Sequence, residues 1–319
     1  ELKTIATSMV SSGNEKRTSL LAVYQFLEHC FGMYGEKVEA VTRHILDGTS
    51  QNSDPHVKET GQLLETLLLN SIEVTKSTLG TAWIRDKEQG QGQPAYESKS
   101  EPVPEQRATS TEELSGIFSV LAACAKKCPA FLIHLPAADG VEPENDRLFS
   151  RAVESAVSTL TETDFEASRS AILYLLSIAA LVQKGSLSSP MQSIVEGVLS
   201  RVRRSVVGIV LVGACGTLHP SAIDPAARLL YLILRSSPPD EAMAFCAAAV
   251  QQEQFQLIGS FRSTLTNILH RCIRGELGEA TLIGLFTDLQ ELHQVEDVGS
   301  FVESDQVLEF IDRYTQLLG

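Results

Sequence analysis

Apolar residues return along this chain with a period of 3.6, interrupted by prolines, and no alternating pattern of comparable strength competes with it. Thr111 to Leu135, TEELSGIFSVLAACAKKCPAFLIHL, shows the unit best. Leu114, Ile117, Phe118, Leu121 and Ala122 fall at i, i+3, i+4, i+7 and i+8, which is one face of an α-helix. Thr111 can cap that helix, Glu112 and Glu113 suit its positive end, and Lys126 and Lys127 suit its negative end. Pro129 then stops it, having no N–H to donate, and fits the first turn of a following helix. The apolar run Phe131-Leu132-Ile133 comes next. This is half of a helical hairpin.

The same arrangement recurs on both sides. Residues 1 to 11 read as a short helix with Leu2, Ile5 and Met9 on one side. After a break at 12 to 14, a strong helix runs to Tyr34, with Leu20, Val23, Tyr24, Leu27 and Phe31 on a buried face. Gly35 is expected to turn the chain into a third helix carrying Val38, Val41, Ile45 and Leu46, stopped by Gly48. Asp54-Pro55 opens a fourth, with Leu63, Leu64, Leu67, Leu68 and Ile72 aligned. Residues 79 to 109 are rich in Gly, Gln, Pro and charge without a period, and read as a loop or insertion.

Beyond it, helices are expected at 145 to 160, 164 to 183, from the Ser189-Pro190 cap to Val210, and at 223 to 234. Gly213 and Gly216 end the long one. Pro238-Pro239-Asp240 introduces a helix through Met243 to Val250, and residues 256 to 274, 278 to 293 and 304 to 318 complete the chain. Helix, proline turn, helix, in pairs of ~40 to 47 residues, points to an all-α fold. A HEAT or armadillo-like α-solenoid of stacked antiparallel helix pairs is favoured over a large irregular helical domain. Residues 1 to 319 would then be one continuous helical-repeat array, consistent with a length greater than one core usually reaches. The opening Glu1-Leu2-Lys3-Thr4, without methionine, reads as the inside of a helical pattern, as in a fragment of a longer chain.

With 40 acidic against 26 basic residues the formal net charge is -14, which argues against direct nucleic-acid binding and against an anionic membrane surface, and leaves basic partners open. The most membrane-like run, Val206 to Cys215, is about half of the ~20 residues a bilayer requires. Six cysteines lie mostly inside apolar helical segments, where a free thiol packs as a small hydrophobe and a reducing compartment suffices. Cys124 and Cys128 are i, i+4, but a zinc site needs further ligands that the neighbourhood does not supply. The histidines at 29, 44, 56, 134, 219, 270 and 293 form no HExxH and read as surface or capping residues. No P-loop, dinucleotide fingerprint or GxSxG elbow is present, so the sequence predicts no enzyme, no cofactor and no metal.

One charged cluster has direction. In SRVRRS, Arg201 and Arg204 are i, i+3 and share a helix face, whereas Arg203 points elsewhere. The pair Arg201 and Arg204 is the candidate partner-binding site, able to hold a phosphate or an acidic peptide, although a solvated face gives the same pattern. Glu142, Glu144, Asp146, Glu162, Asp164 and Glu166 lie near inter-helix turns and can face a basic partner, but helix starts attract acids in any case.

Three segments together carry a resemblance: MVSSGNEKRTSLLAVYQFLEHCFGMYGEK, TEELSGIFSVLAACAKKCPAFLI, and the ending GLFTDLQELHQVEDVGSFVESDQVLEFIDRYTQLLG. The first closes on Tyr34-Gly35-Glu36, the second turns at Pro129 into an apolar run, and the third ends in the amphipathic FIDRYTQLL. In that order they resemble the C-terminal third of the transportin-SR and importin-thirteen branch of the karyopherin-β nuclear transport receptors. The resemblance implies a HEAT superhelix that shuttles between cytoplasm and nucleus and binds protein cargo, such as proteins with Arg-Ser domains or other RNA-binding proteins. RanGTP would release the cargo, and RanGTP and nucleoporins would be partners of the whole receptor. The family's Ran-binding repeats and its arginine-rich helix would lie before Glu1, so that role does not fall on Arg201, Arg203 or Arg204. The insertion at 79 to 109 is longer than the family connection, which leaves the cargo class open. The alternative is a general HEAT-repeat interaction scaffold without Ran dependence.

Overall fold

The structure, a computed structural model, describes residues 16–46, 111–133, 148–161, 165–251, 259–295 and 305–318. All of these lie in helices or the short turns between them, and no strand occurs among the described residues. The expected helices at 1 to 11 and around 54 to 72, and the insertion at 79 to 109, lie outside them. The chain divides into two compact units, Glu1–Ser155 and Ala156–Gly319.

In the first unit, α1 (Lys16–Leu46) packs along α2 (Thr111–Lys127), and both meet the short α3 (Pro129–Ile133). Tyr24, Leu27 and Phe31 are buried on one face of α1, as the spacing predicts, and Phe31 lies 6.3 Å from the ring of Phe131. Gly35 departs from expectation. It does not turn the chain; α1 continues through it to Leu46 and Val38 joins the same buried face. The cause is close packing: a β-carbon at Gly35 would overlap the Cβ of Lys127, so only glycine lets the end of α2 come this near. The charges next to the contact then pair. Lys127 Nζ lies 2.9 Å from Glu36, and Glu39 accepts a 2.8 Å hydrogen bond from the Ala130 N–H while Arg43 donates to its other oxygen at 2.7 Å. Glu39 therefore caps α3 across the helix pair, satisfying an N–H that has no partner within α3 itself.

A helix α4 (Leu148–Thr159) links the first unit to the second in sequence. The second unit holds α5 (Phe165–Lys184), α6 (Ser189–Val212), a kinked turn (Gly213–Thr217), α7 (Pro220–Ser236), α8 (Pro239–Val250), α9 (Gly259–Arg274), α10 (Glu279–Val295) and α11 (Asp305–Leu318). Prolines open α6, α7 and α8, where a missing N–H costs nothing. On α5, Ile172, Leu175 and Ala179 are buried and Leu176 is half-buried. Among the described helices α5, rather than the run Val206 to Cys215, is long and apolar enough to cross a membrane, and most of it is buried within the protein, as in a core helix.

Helix α7 is flanked by α5 and α10, α8 lies against α6 and α9, and α11 closes on α9 and α10. Helix α9 ends at Gly275 with φ 78°, and the N–H of Glu276 returns to the Arg271 carbonyl at 2.9 Å, a Schellman closure. Arg235 Nη1 donates to the Ile273 carbonyl at 2.8 Å and satisfies one more oxygen at that helix end.

Candidate functional site

The arginine cluster sits on α6, and the helix separates its three members. Arg201 and Arg204 are exposed, whereas Arg203 is 6 % exposed, turned in toward α8. Burial lowers the proton affinity of the Arg203 guanidinium from its ordinary value, and the carboxylates of Glu196 and Glu241 work against that loss. Its Nε has no hydrogen-bond partner. Arg203 is thus a buried charge and Arg201 and Arg204 are the surface pair that the spacing predicts.

Arg204 borders a cavity. A groove of about 1010 Å³ opens beside the second half of α6, and its lining includes Arg204, Ser205 and Gly208, the first turns of α5 and α7, and Gln290 of α10. Arg201 is not among its lining residues. The groove exists because α6 does not run straight into α7. At Gly213–Thr217 the helix breaks: Cys215 and Gly216 leave helical φ/ψ, Gly216 at φ 122°, and the Leu218 N–H closes on the Gly213 carbonyl at 2.9 Å. A β-carbon at Gly213 would stand 2.8 Å from Leu218 Cγ, so any larger residue here would push the Leu218 side chain out of place. The side-chain amide of Gln290 donates to the Leu218 carbonyl and ties the turn to α10.

The rim is built by the start of α7. His219 is its N-cap, accepting from the Ser221 N–H at 3.2 Å through Nδ1, with Ser221 Oγ 2.8 Å from the same nitrogen. Nδ1 is therefore the acceptor and a neutral ring carries its proton on Nε2. The imidazole stacks on Phe165, with centroids 4.4 Å apart and planes 23° from parallel. Pro225, inside α7, has no N–H for the Ser221 carbonyl one turn before it, and Arg169 Nε of α5 donates to that oxygen at 3.3 Å instead. This fixes the two helix starts relative to each other. Ile172, Val210 and Ala222 are buried in the groove, while Phe165, Arg204, Thr217 and His219 are exposed at its edge.

Elsewhere the reactive side chains are packing residues. Cys124, Cys128, Cys246 and Cys272 are buried free thiols. Burial raises the Cys124 thiol well above its ordinary value, and the hydrogen bond with Cys128 adds to the shift. A thiol so held is a poor nucleophile and a poor ligand. Among the described residues no group of three or more His, Cys, Asp or Glu is placed to hold a metal ion. His219 is the capping residue that the sequence suggests, but the groove beside it was not expected. Its one trace in the sequence is the glycine spacing 208, 213 and 216 followed by Thr217, which reads there only as the end of a helix. No protein-family model, curated protein or solved structure matches the chain.

Proposed function

We propose that this chain is part of a HEAT or armadillo-like α-solenoid that binds protein cargo as a nuclear transport receptor of the karyopherin-β type. The observation that carries the reading is the packing of α7 between α5 and α10, and of α8 between α6 and α9, because rows of flanking helices are what a repeat array builds. The three resembling segments supply the rest, and all three overlap described elements, the first two at the α1–α2–α3 contact and the third at the α10–α11 end. On this reading the chain binds rather than catalyses. Its partners are cargo proteins, with RanGTP and nucleoporins engaged by the whole receptor, and it shuttles between cytoplasm and nucleus. An acidic surface suits basic cargo and disfavours direct nucleic-acid contact, since the chain carries -14.

The test is a pull-down from nuclear extract with the natural full-length protein, with and without Ran locked in the triphosphate state. Release of bound RNA-binding proteins on adding RanGTP is the expected result. Partners that stay bound, with no Ran retained, would leave a HEAT-repeat scaffold in place of a transport receptor.

A further inference from the structure

We infer that the groove at the α6–α7 junction binds an extended acidic peptide, with a carboxylate on Arg204 and a neighbouring apolar side chain against the Phe165–His219 rings. The inference rests on the reading of this chain as a protein-binding module and names the chemistry of one partner segment. Three observations point the same way.

The first is charge. The chain is strongly acidic, yet no Asp or Glu occurs among the described lining residues, whereas Arg204 does. Arg204 has no hydrogen bond or ion pair among the described residues, so its five N–H donors are available to a carboxylate. The first turn of α7, whose helix dipole favours negative charge, opens into the same space. The second is the distribution of polarity. Exposed Phe165, Arg204, Thr217 and His219 form the edge and buried Ile172 and Val210 the base, an arrangement that receives alternate side chains of an extended segment. The third is rigidity. The turn at Gly213–Thr217 is set by Gly216 at φ 122° and tied to α10 by Gln290, and the two helix starts are tied by Arg169, so the groove is preformed and binding needs little ordering of the receptor.

A fatty acid shares the carboxylate and the apolar part, but it needs its whole chain enclosed, and here the ring pair and the cation stand at an exposed edge. Size does not decide, because about 1010 Å³ lies at the upper end of the range for small ligands.

The experiment measures fluorescence anisotropy of a labelled probe peptide, Asp and Glu alternating with Leu and Phe, against the whole 319-residue chain. A second probe has Asn and Gln in place of the acids, and unlabelled oleate serves as competitor. Saturable, salt-sensitive binding of the acidic probe is expected. Arg204→Glu should weaken it about tenfold or more, Phe165→Ala by about threefold or more, and Arg201→Glu, the same charge change outside the groove, by less than about twofold. Both arginines are exposed, so equal melting curves will show that the variants fold. Glu162 and Asp164, which lie between Thr161 and Phe165 in sequence, give a further variant: Glu162→Gln with Asp164→Asn should leave affinity equal or higher. No binding, equal loss in Arg201→Glu and Arg204→Glu, or equal affinity for the neutral probe would each overturn the inference. Displacement of the probe by oleate at low micromolar concentration, with oleate binding lost in Arg204→Glu, would also overturn it and make the groove a lipid site. A failed peptide assay with cargo still released by RanGTP leaves the transport reading standing. Peptide binding with no response to RanGTP removes that reading and keeps the groove.

Discussion

A β-carbon added at Gly32 of α1 meets nothing within 4 Å, whereas one at Gly35 overlaps the Cβ of Lys127. Helix propensity favours alanine at either position by roughly 0.8–1 kcal/mol. At Gly35 the obstacle is anchored to the α2 backbone, so the helices must part, at a cost of about 1–3 kcal/mol. Gly32→Ala is therefore expected to raise stability by about 0.5–1 kcal/mol, and Gly35→Ala to lower it by about 1 kcal/mol or more, in urea titrations of the two variants. Stabilisation by both would show that α1 and α2 do not close on each other at Gly35. Arg203 gives the second residue-scale prediction. Its guanidinium is buried, its Nε is unpartnered, and the nearby Glu196 and Glu241 only partly offset the desolvation. Methionine keeps the packing of the aliphatic stem and removes the charge. Arg203→Met should move the urea midpoint upward, by the equivalent of about 1 kcal/mol, and a lower midpoint would mean that the two carboxylates outweigh the desolvation.

At the scale of elements, the sequence was most informative where backbone chemistry leaves one choice. Pro129, Pro190 and Pro239 each open a helix as expected, because a residue without an N–H has few other places in an all-helical chain. Gly35 misled, since a glycine that turns a chain and a glycine that admits a neighbouring helix look alike until the neighbour is known. Arg204 was legible as an exposed cation but not as part of a groove, whose lining runs from Leu160 to Gln290 and assembles only when α5, α6, α7 and α10 pack together. The last helix, α11, was legible as an amphipathic segment, but not the contacts that hold it. Tyr314 Oη donates to Asp288 at 2.8 Å, Arg313 reaches the same oxygen at 2.9 Å, and Arg271 of α9 donates to the Leu317 carbonyl at 3.2 Å. Tyr314→Phe removes one of these bonds while the ring stays packed against Phe310, 4.9 Å between centroids. The loss is about 1 kcal/mol, so local opening of α11 should become about fivefold more frequent. Native-state hydrogen exchange would show faster amides in α11 and unchanged ones in α5 and α7; a uniform increase would place α11 in the same cooperative unit as the rest.

For the molecule as a whole, the consequence of burying so many thiols is a stability that fails on the alkaline side. Cys215, Cys246 and Cys272 all lie in the unit Ala156–Gly319, and burial pushes each thiol up to about 12 from 9.0, with Cys272 adding to the shift at Cys246. In the unfolded chain the same thiols ionise near 9.0, so between these values the unfolded state binds fewer protons than the folded one. Stability is then full below pH 9 and falls as pH rises, by roughly 1.4 kcal/mol per pH unit for each thiol. The excess of 40 acidic over 26 basic residues pushes in the same direction, because losing lysine protons raises the repulsion within a compact negative chain. Salt separates the two causes: surface repulsion is screened beyond about 10 Å at 0.1 M, and buried thiols are hardly screened at all. Urea titrations at pH 8, 9, 10 and 10.5, with and without added salt, should therefore retain most of the alkaline loss at high ionic strength. In the Cys246→Ala, Cys272→Ala double variant the midpoint at pH 8 will drop because methyl-sized voids replace two sulphurs, but the slope against pH should flatten by about 2–3 kcal/mol per unit. The slope carries the inference, since a void costs the same at every pH. An unchanged slope would mean that those two thiols reach solvent when they ionise, and that the packing of α8 against α9 is looser than their burial implies.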